Sequence, residues 1–273
     1  MSQKINVTTD NSIWFHLMRI AELIQLRDLL RELVMRDMKI RYEGTALGFA
    51  WTLINPLLFV GVFYFLFNVV LDVGTSRFTS YTLIGMLIYT WFQSSLVEAC
   101  SIARSNRDLV RRPQFKVAVL PLVSVTGNLI HLLLAFPILA VILLIEGSRL
   151  SAVLLTLPIV IIVQFIFTVG LAFLGAAISV LYRDIGYLID VILRVFFFLT
   201  PIFYEVSKVP SQFQAIYSLN PLVPLLDAYR NPLIHGLPPS WNSLLSLGLI
   251  ALLLVIVGYK LFVKISHRFA EEI

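Results

Sequence analysis

Three charged side chains stand inside long apolar stretches of this sequence: Glu98, Asp190 and Arg194. An ionised group at membrane depth is costly and is a functional candidate by default. Asp190 and Arg194 are spaced i,i+4, so on a helix they can neutralise each other. That spacing fits a self-satisfied pair near the inner end of a span, and it also fits a position lining a water-filled path or a subunit contact. Glu98 lies near the inner end of its stretch and can reach the interface. A proton relay would need more carboxylates than this, which argues against a secondary transporter. The four histidines, His16, His131, His235 and His267, are scattered, with no HExxH and no i,i+4 pair, so no metal site is expected. GxxxxGK[ST] and GxSxG do not occur, so neither ATP binding through a P-loop nor an elbow-type nucleophile is expected of this chain. Cys100 is the single cysteine, which excludes an intrachain disulfide. Aromatic residues make up 12% of the chain. Phe59, Phe63 and Phe67 repeat at i,i+4,i+8, and such a stripe can line a passage whose ligand offers C–H faces, as a sugar does. Phe196, Phe197 and Phe198 point around a helix and cannot all face one pore.

The elements that hold these residues are membrane spans. Of 273 residues, 59% are hydrophobic and only 14% are charged, where a soluble domain carries roughly a quarter charged residues. The formal net charge of +5 is explained by Lys and Arg in cytoplasmic loops rather than by nucleic acid. The polar start MSQKINVTTDNS leaves no cleavable signal peptide to expect. Ile13 to Ile24 mixes apolar and charged residues and predicts a short helix at the membrane surface. Leu26 to Tyr42 predicts a stronger amphipathic helix, with Leu26, Leu29, Leu30, Leu33, Val34 and Ile40 on one face. Asp37 and Arg41 project from that apolar side, so this end is expected either to pack on protein or to serve as a plain interfacial anchor. Gly44 and Gly48 loosen the chain before the first span.

Crossing the hydrocarbon takes about 20 apolar residues. Six stretches qualify as spans, at about 49–71, 81–100, 117–145, 152–181, 187–203 and 241–262. They give an all-α integral membrane fold with a cytoplasmic N-terminal segment over 1–48, a membrane domain over 49–262 and a cytoplasmic tail over 263–273. The basic loop 101–116 joins the second and third spans. The region 204–240 is too polar and too rich in proline to cross, and predicts one or two short helices dipping into the membrane from the far side. With the N-terminus inside, only Arg77, Arg149, Lys208 and Arg230 fall outside, Arg194 lies in a span, and every other Lys and Arg is cytoplasmic. That asymmetry satisfies the positive-inside rule, and the inverted topology violates it.

The order of segments carries a resemblance. RDMKIRYEGTALGFAWTLINPL, then NRDLVRRPQF with Pro121 after it, then YRD, TPIFY and SLNPLVPLLDAYRNPLIHG, together resemble the membrane permease of an ABC type-2 exporter of the polysaccharide and polyol-phosphate group, and are most similar to O-antigen exporter permeases. The likeness covers nearly the whole chain. It implies a homodimer in the bacterial inner membrane paired with two copies of a separate ATPase, which would bind the ATP and Mg; no cofactor is implied in this chain. It implies that a polyprenyl-linked polysaccharide is moved outward. Teichoic acid or capsular polysaccharide is the nearest alternative cargo, with a drug or lipid further off. By the same resemblance Arg104, Asn106, Asp108, Leu109, Arg111 and Arg112 form a coupling helix against the ATPase, and Tyr182, Arg183 and Asp184 form a smaller contact. Arg36, Asp37, Lys39, Arg41 and Tyr42 lie at the interface helix and substrate access. Trp51, Phe59, Phe63, Phe67, Phe197 and Tyr204 are the implied channel lining. Pro201, Asn220, Pro221, Tyr229 and Arg230 belong to the implied outer gate.

Overall fold

A computed structural model describes residues 11–45, 47–70, 77–112, 114–148, 151–182 and 184–266. Among the described residues every regular element is helical. Helix α1, Asn11–Tyr42, is continuous for 32 residues. The sequence suggested two helices here, but no Gly or Pro interrupts the segment, so nothing breaks it. It ends where Gly44 and Gly48 adopt φ of 78° and 48°, conformations open to glycine at little steric penalty. Leu33 and Val34 are buried, and Leu26, Leu29, Leu30 and Met38 pack beside them. Ile40, expected on that face, is 65% exposed. The polar side chain of Arg41 occupies the packing face at this end, as described below.

Helix α2, Trp51–Tyr64, continues as a π-helical turn, Phe65–Val70. Helix α3, Phe78–Ser105, leads into the short α4, Arg107–Val110. Helix α5 is Val119–Ile145, and α6 is Leu157–Leu181 after a 3-10 turn, Ala152–Thr156. Helix α7, Ile185–Leu199, stops four residues short of the expected Phe203. Pro201 explains the stop, because the residue before a proline is pushed out of the helical region, and Thr200 is extended at φ −99°, ψ 136°. Then come α8, Ser211–Ser218, α9, Leu222–Arg230, with a π-helical turn Asn231–His235, and finally α10, Trp241–Ser266.

Among the described residues four helices, α3, α5, α6 with its preceding 3-10 turn, and α10, are long and apolar enough to cross a membrane. The apolar run in α2 and the 15-residue α7 are shorter. At 1.5 Å per residue, 15 residues reach about 22 Å, less than the roughly 30 Å of hydrocarbon.

Helix α3 is the axis. It packs on α2, α5, α6, α7 and α9, and 72% of its apolar stretch is buried, against at most 28% in the other three long helices. The most extensive helix pair is α6 with α10. Small residues make that approach possible, as usual between helices in lipid. A Cβ on Gly258 would stand 2.6 Å from the Gly170 carbonyl oxygen, and one on Gly170 would stand 2.7 Å from Leu254 Cβ. The bundle therefore has two ends: an α4 end, with the C-termini of α1, α3 and α6, and an α9 end, with the N-termini of α3 and α10.

Candidate transport path and coupling surface

A cavity of about 440 Å³ opens between α2, α3, α5 and α7. Helix α2 lends it Trp51, Asn55, Pro56 and Phe59, and α7 lends it Arg194, Phe197 and Phe198. Its floor on α3 combines Trp91 with Thr90, Gln93 and Ser94. Trp91 is held there by an indole N–H donated to the Val125 carbonyl at 3.1 Å. Tyr89 fixes α7 against α3 by donating its hydroxyl to the Leu193 carbonyl. Aromatic faces interleaved with neutral hydrogen-bonding groups can hold a sugar without trapping it at a buried charge.

Of the residues implied as channel lining, Trp51, Phe59 and Phe197 meet in this cavity. Phe63, Phe67 and Tyr204 lie elsewhere, around Phe203. Phe63 stacks on Phe203 with centroids 5.0 Å apart, and Phe67 and Tyr204 follow at 5.4 and 5.2 Å. Phe197 reaches the same ring at 6.1 Å, so it belongs to both groups. The Phe59, Phe63, Phe67 stripe is thus divided between the cavity and an aromatic plug. Phe203 was not singled out in the sequence, although TPIFY placed it beside a helix-breaking proline.

Asp190 and Arg194 form their pair at 2.8 Å, with the arginine side chain 71% exposed. Arg194 also borders the cavity.

At the α4 side of the cavity, Arg41 enters a polar knot. Its guanidinium donates to Glu98 Oε2 at 3.0 Å and meets His131 Nε2 at 3.1 Å. Asn128 Nδ2 donates to the same Glu98 oxygen at 2.8 Å and to the Ser124 carbonyl at 2.9 Å. Tyr42 Oη is 2.7 Å from His131 Nδ1. A guanidinium can only donate, so His131 accepts through Nε2, its ring is neutral, and Nδ1–H donates to Tyr42. Glu98 therefore ties α3 to α1 and α5 rather than merely reaching the interface. Asp37 and Arg41 indeed face protein, as one of the two sequence readings held. His131 and Asn128 were missed. The available signal was a polar pair one turn apart, on α5, in an otherwise apolar run.

The α4 end presents charge on a fixed base. Val110 is buried and Leu109 half-buried, while Asp108, Arg111 and Arg112 project outward. Asn106 joins α3 to α4, donating to the Ile102 carbonyl at 3.0 Å and accepting from Arg36. Arg36 also donates to Asp37, and Lys39 stands 3.9 Å from Glu43. Arg104 turns inward, donating to the Ser179 carbonyl at 3.1 Å and the Cys100 carbonyl at 3.3 Å. It satisfies a carbonyl in the last turn of α6, where a cation is favoured. Tyr182 and Asp184 are exposed; Arg183 lies outside the described residues. Leu26, Leu29 and Leu33 of α1 and Leu109 and Phe115 of the loop floor a groove, with Glu32 and Arg112 at its edge.

The α9 end is pinned from several directions. Asn220 accepts from the Leu222 amide at 2.9 Å, starting α9, and donates to Thr200 Oγ1 at 3.2 Å. Pro221 follows it into the helix, and Pro201 is buried beside Ile202. Tyr229 Oη donates to Gln164 Oε1 at 2.7 Å, and Gln164 Nε2 donates to the Ile88 carbonyl at 3.2 Å. Arg230 is 2% exposed and lies 3.5 Å over the Tyr81 ring. Arg77, at φ 59°, donates to the Ile234 carbonyl at 2.6 Å. Glu146 accepts from the Ser80 amide at 3.1 Å, which satisfies a free donor in the first turn of α3.

Three relatives named O-antigen export system permease protein RfbA resemble this chain along nearly its whole length. The one from Myxococcus xanthus is 32% identical over 256 residues, covering 93% of this chain and 98% of its own length. Two from Klebsiella pneumoniae are 30% and 29% identical over 247 residues, each covering 90% of this chain and 95% of its own length. The ABC-2 type transporter family matches residues 28–234, from the middle of α1 to the turn after α9. On this evidence the chain belongs to the ABC-2 type transporter family.

Proposed function

We propose that the chain is the permease subunit of an ATP-driven exporter that moves a lipid-linked, O-antigen-type polysaccharide across the inner membrane. The near full-length similarity to three permeases named for O-antigen export carries this reading. The chemistry of the cavity supports it. A path floored by Trp91 and walled by Trp51, Phe59 and Phe197 offers flat faces to sugars, and Thr90, Gln93 and Ser94 offer exchangeable hydrogen bonds.

In the proposed assembly two copies face each other across the cavity, and two ATPase subunits sit at the α4 end, binding the ATP and Mg. Each copy crosses the membrane six times, with α2 and α7 as the shorter crossings and both termini in the cytoplasm. Helix α1 lies at the cytoplasmic interface, and α8 and α9 dip in from the outer side. Asp108, Arg111 and Arg112 on α4 meet the ATPase, with the Tyr182 to Asp184 break as a second contact. Movement of α4 is passed to α3, and Arg36 and Arg41 pass it to α1. The carbohydrate slides past aromatic faces while the aromatic plug around Phe203 and the α9 region yield on the outer side.

The test is deletion. A strain lacking the chain should accumulate undecaprenyl-linked glycan in the inner leaflet and lose surface glycan, and restoring the chain should reverse both. Unchanged surface glycan with no inner accumulation would remove the proposal.

A further inference from the structure

The guanidinium of Arg230 is buried with part of its donor capacity unused. It is 2% exposed and its Cζ lies over the Tyr81 ring, 3.5 Å from the centroid. One terminal nitrogen donates to two carbonyls, Tyr81 at 3.3 Å and Ile202 at 2.9 Å. The other two nitrogens, Nε and Nη1, are buried without a hydrogen-bond partner among the described residues. Asp227 stands one turn earlier on α9, and Glu205 directly follows Tyr204 in the link that Arg230 holds. No hydrogen bond joins either carboxylate to it in this state, because both unused nitrogens are unpartnered. A buried cation that leaves donors idle while carboxylates stand nearby is poised between two sets of partners.

The contacts it does make close a ring. Arg230 joins α9 to the N-terminal turn of α3 through Tyr81, and to the non-helical link after α7 through Ile202. Tyr81 then donates its hydroxyl to the Tyr204 carbonyl at 3.1 Å, so the same link is caught twice. The fit is made by Gly85, where a Cβ would lie 2.8 Å from Arg230 Nη2 and 3.1 Å from the Ile202 carbonyl oxygen. Phe203, the hub of the aromatic plug, sits inside this doubly held link.

We infer that Arg230, Tyr81 and Gly85 form the latch that keeps the α9 end shut at rest, and that opening transfers Arg230 from the Tyr81 face to Asp227 or Glu205. Freeing the guanidinium frees the link from Thr200 to Tyr204, and with it Phe203, so one event releases both α9 and the plug. The inference rests on reading the chain as a permease whose gate is at this end.

The experiment uses the complex of the permease with its ATPase, in liposomes loaded with carboxyfluorescein and without nucleotide. Arg230→Met, Tyr81→Leu and Gly85→Ala should each raise passive dye release at least about tenfold, the ratio expected from losing a desolvated cation–π contact. Arg230→Lys should leak less than Arg230→Met, because the charge stays over the ring. Asp227→Asn should slow ATP-driven glycan export without raising the leak, which a residue that only supports folding would not do. Wild-type leak in variants that assemble and still export would overturn the latch and leave the export reading intact. Loss of assembly in all three, Gly85→Ala included, would make the cluster a folding element and overturn it as well. A wild-type complex that exports no glycan would remove the export reading, whatever the dye does.

Discussion

Replacing Tyr229 by Phe tests how the α9 end is held. Tyr229 and Gln164 are both fully buried, and their 2.7 Å hydrogen bond is the side-chain link between α9 and the middle of α6. Tyr229→Phe keeps the ring and removes the hydroxyl, which leaves Gln164 Oε1 without this donor. An orphaned buried acceptor costs about 1–3 kcal/mol in soluble proteins. Side-chain hydrogen bonds between membrane helices average about 0.6 and reach about 1.7 kcal/mol. Because this site is enclosed by protein on α3, α6 and α9, we place Tyr229→Phe at about 1.5 kcal/mol, between those two scales. Gln164→Leu should cost more, since it orphans the buried Tyr229 hydroxyl and also removes the second bond to the Ile88 carbonyl, which keeps its own helical partner. The double variant should cost less than the sum of the two by about 1 kcal/mol, because the second change removes the group that the first one orphans. The assay is a double-mutant cycle on the apparent melting temperature of the detergent-solubilised complex, at about 2–4 °C per kcal/mol for a domain near this size. Additive shifts within error would refute the bond as a coupling between α9 and α6.

Other changes have equally definite outcomes. Gly258→Val, whose Cβ would stand 2.6 Å from the Gly170 carbonyl oxygen, should destabilise by about 1–3 kcal/mol or more, while Gly248→Ala on the same helix meets nothing within 4 Å and should not lower the melting temperature. Glu98→Ala leaves Arg41 and Asn128 without their shared acceptor; since the Arg41 side chain is 44% exposed, the stability loss should stay near 1 kcal/mol, and hydrogen exchange across residues 33–42 should quicken. Arg111→Glu reverses an exposed charge on α4 and should lower recovery of the ATPase with the tagged permease and uncouple ATP hydrolysis from export, with no change in the melting temperature of the permease alone.

The long helices were legible because they depend on a single local quantity, the length of an apolar run. Val119–Ile145 and Trp241–Ser266 begin within two residues of their expected starts. The stop of α7 at Leu199 was in the sequence too, in Pro201, but counting apolar residues carried the span through to Phe203. Partners across helices were much harder to find. A helical wheel places Phe59, Phe63 and Phe67 on one side of α2; it cannot show that Phe203 arrives from a non-helical link to take two of them. His131 and Asn128 looked like isolated polar residues, because Arg41, Tyr42 and Glu98, which make them a cluster, come from α1 and α3. Arg104 was assigned to the coupling helix by resemblance, and only the meeting of the α3 and α6 ends reveals that it has carbonyls to satisfy. Arg230 was placed in the gate by resemblance, while its seat over Tyr81 depends on the space left by Gly85.

In the proposed function this chain is a conduit driven by a separate motor at its α4 end. The most direct measurement is glycan transport in proteoliposomes holding the purified chain alone, the chain with its ATPase, and the chain with an ATPase that cannot hydrolyse ATP. Lipid-linked glycan should become accessible on the far side only in the second preparation, and only with ATP. Transport by the chain alone, or steady ATP hydrolysis by the complete complex with no glycan crossing, would contradict it.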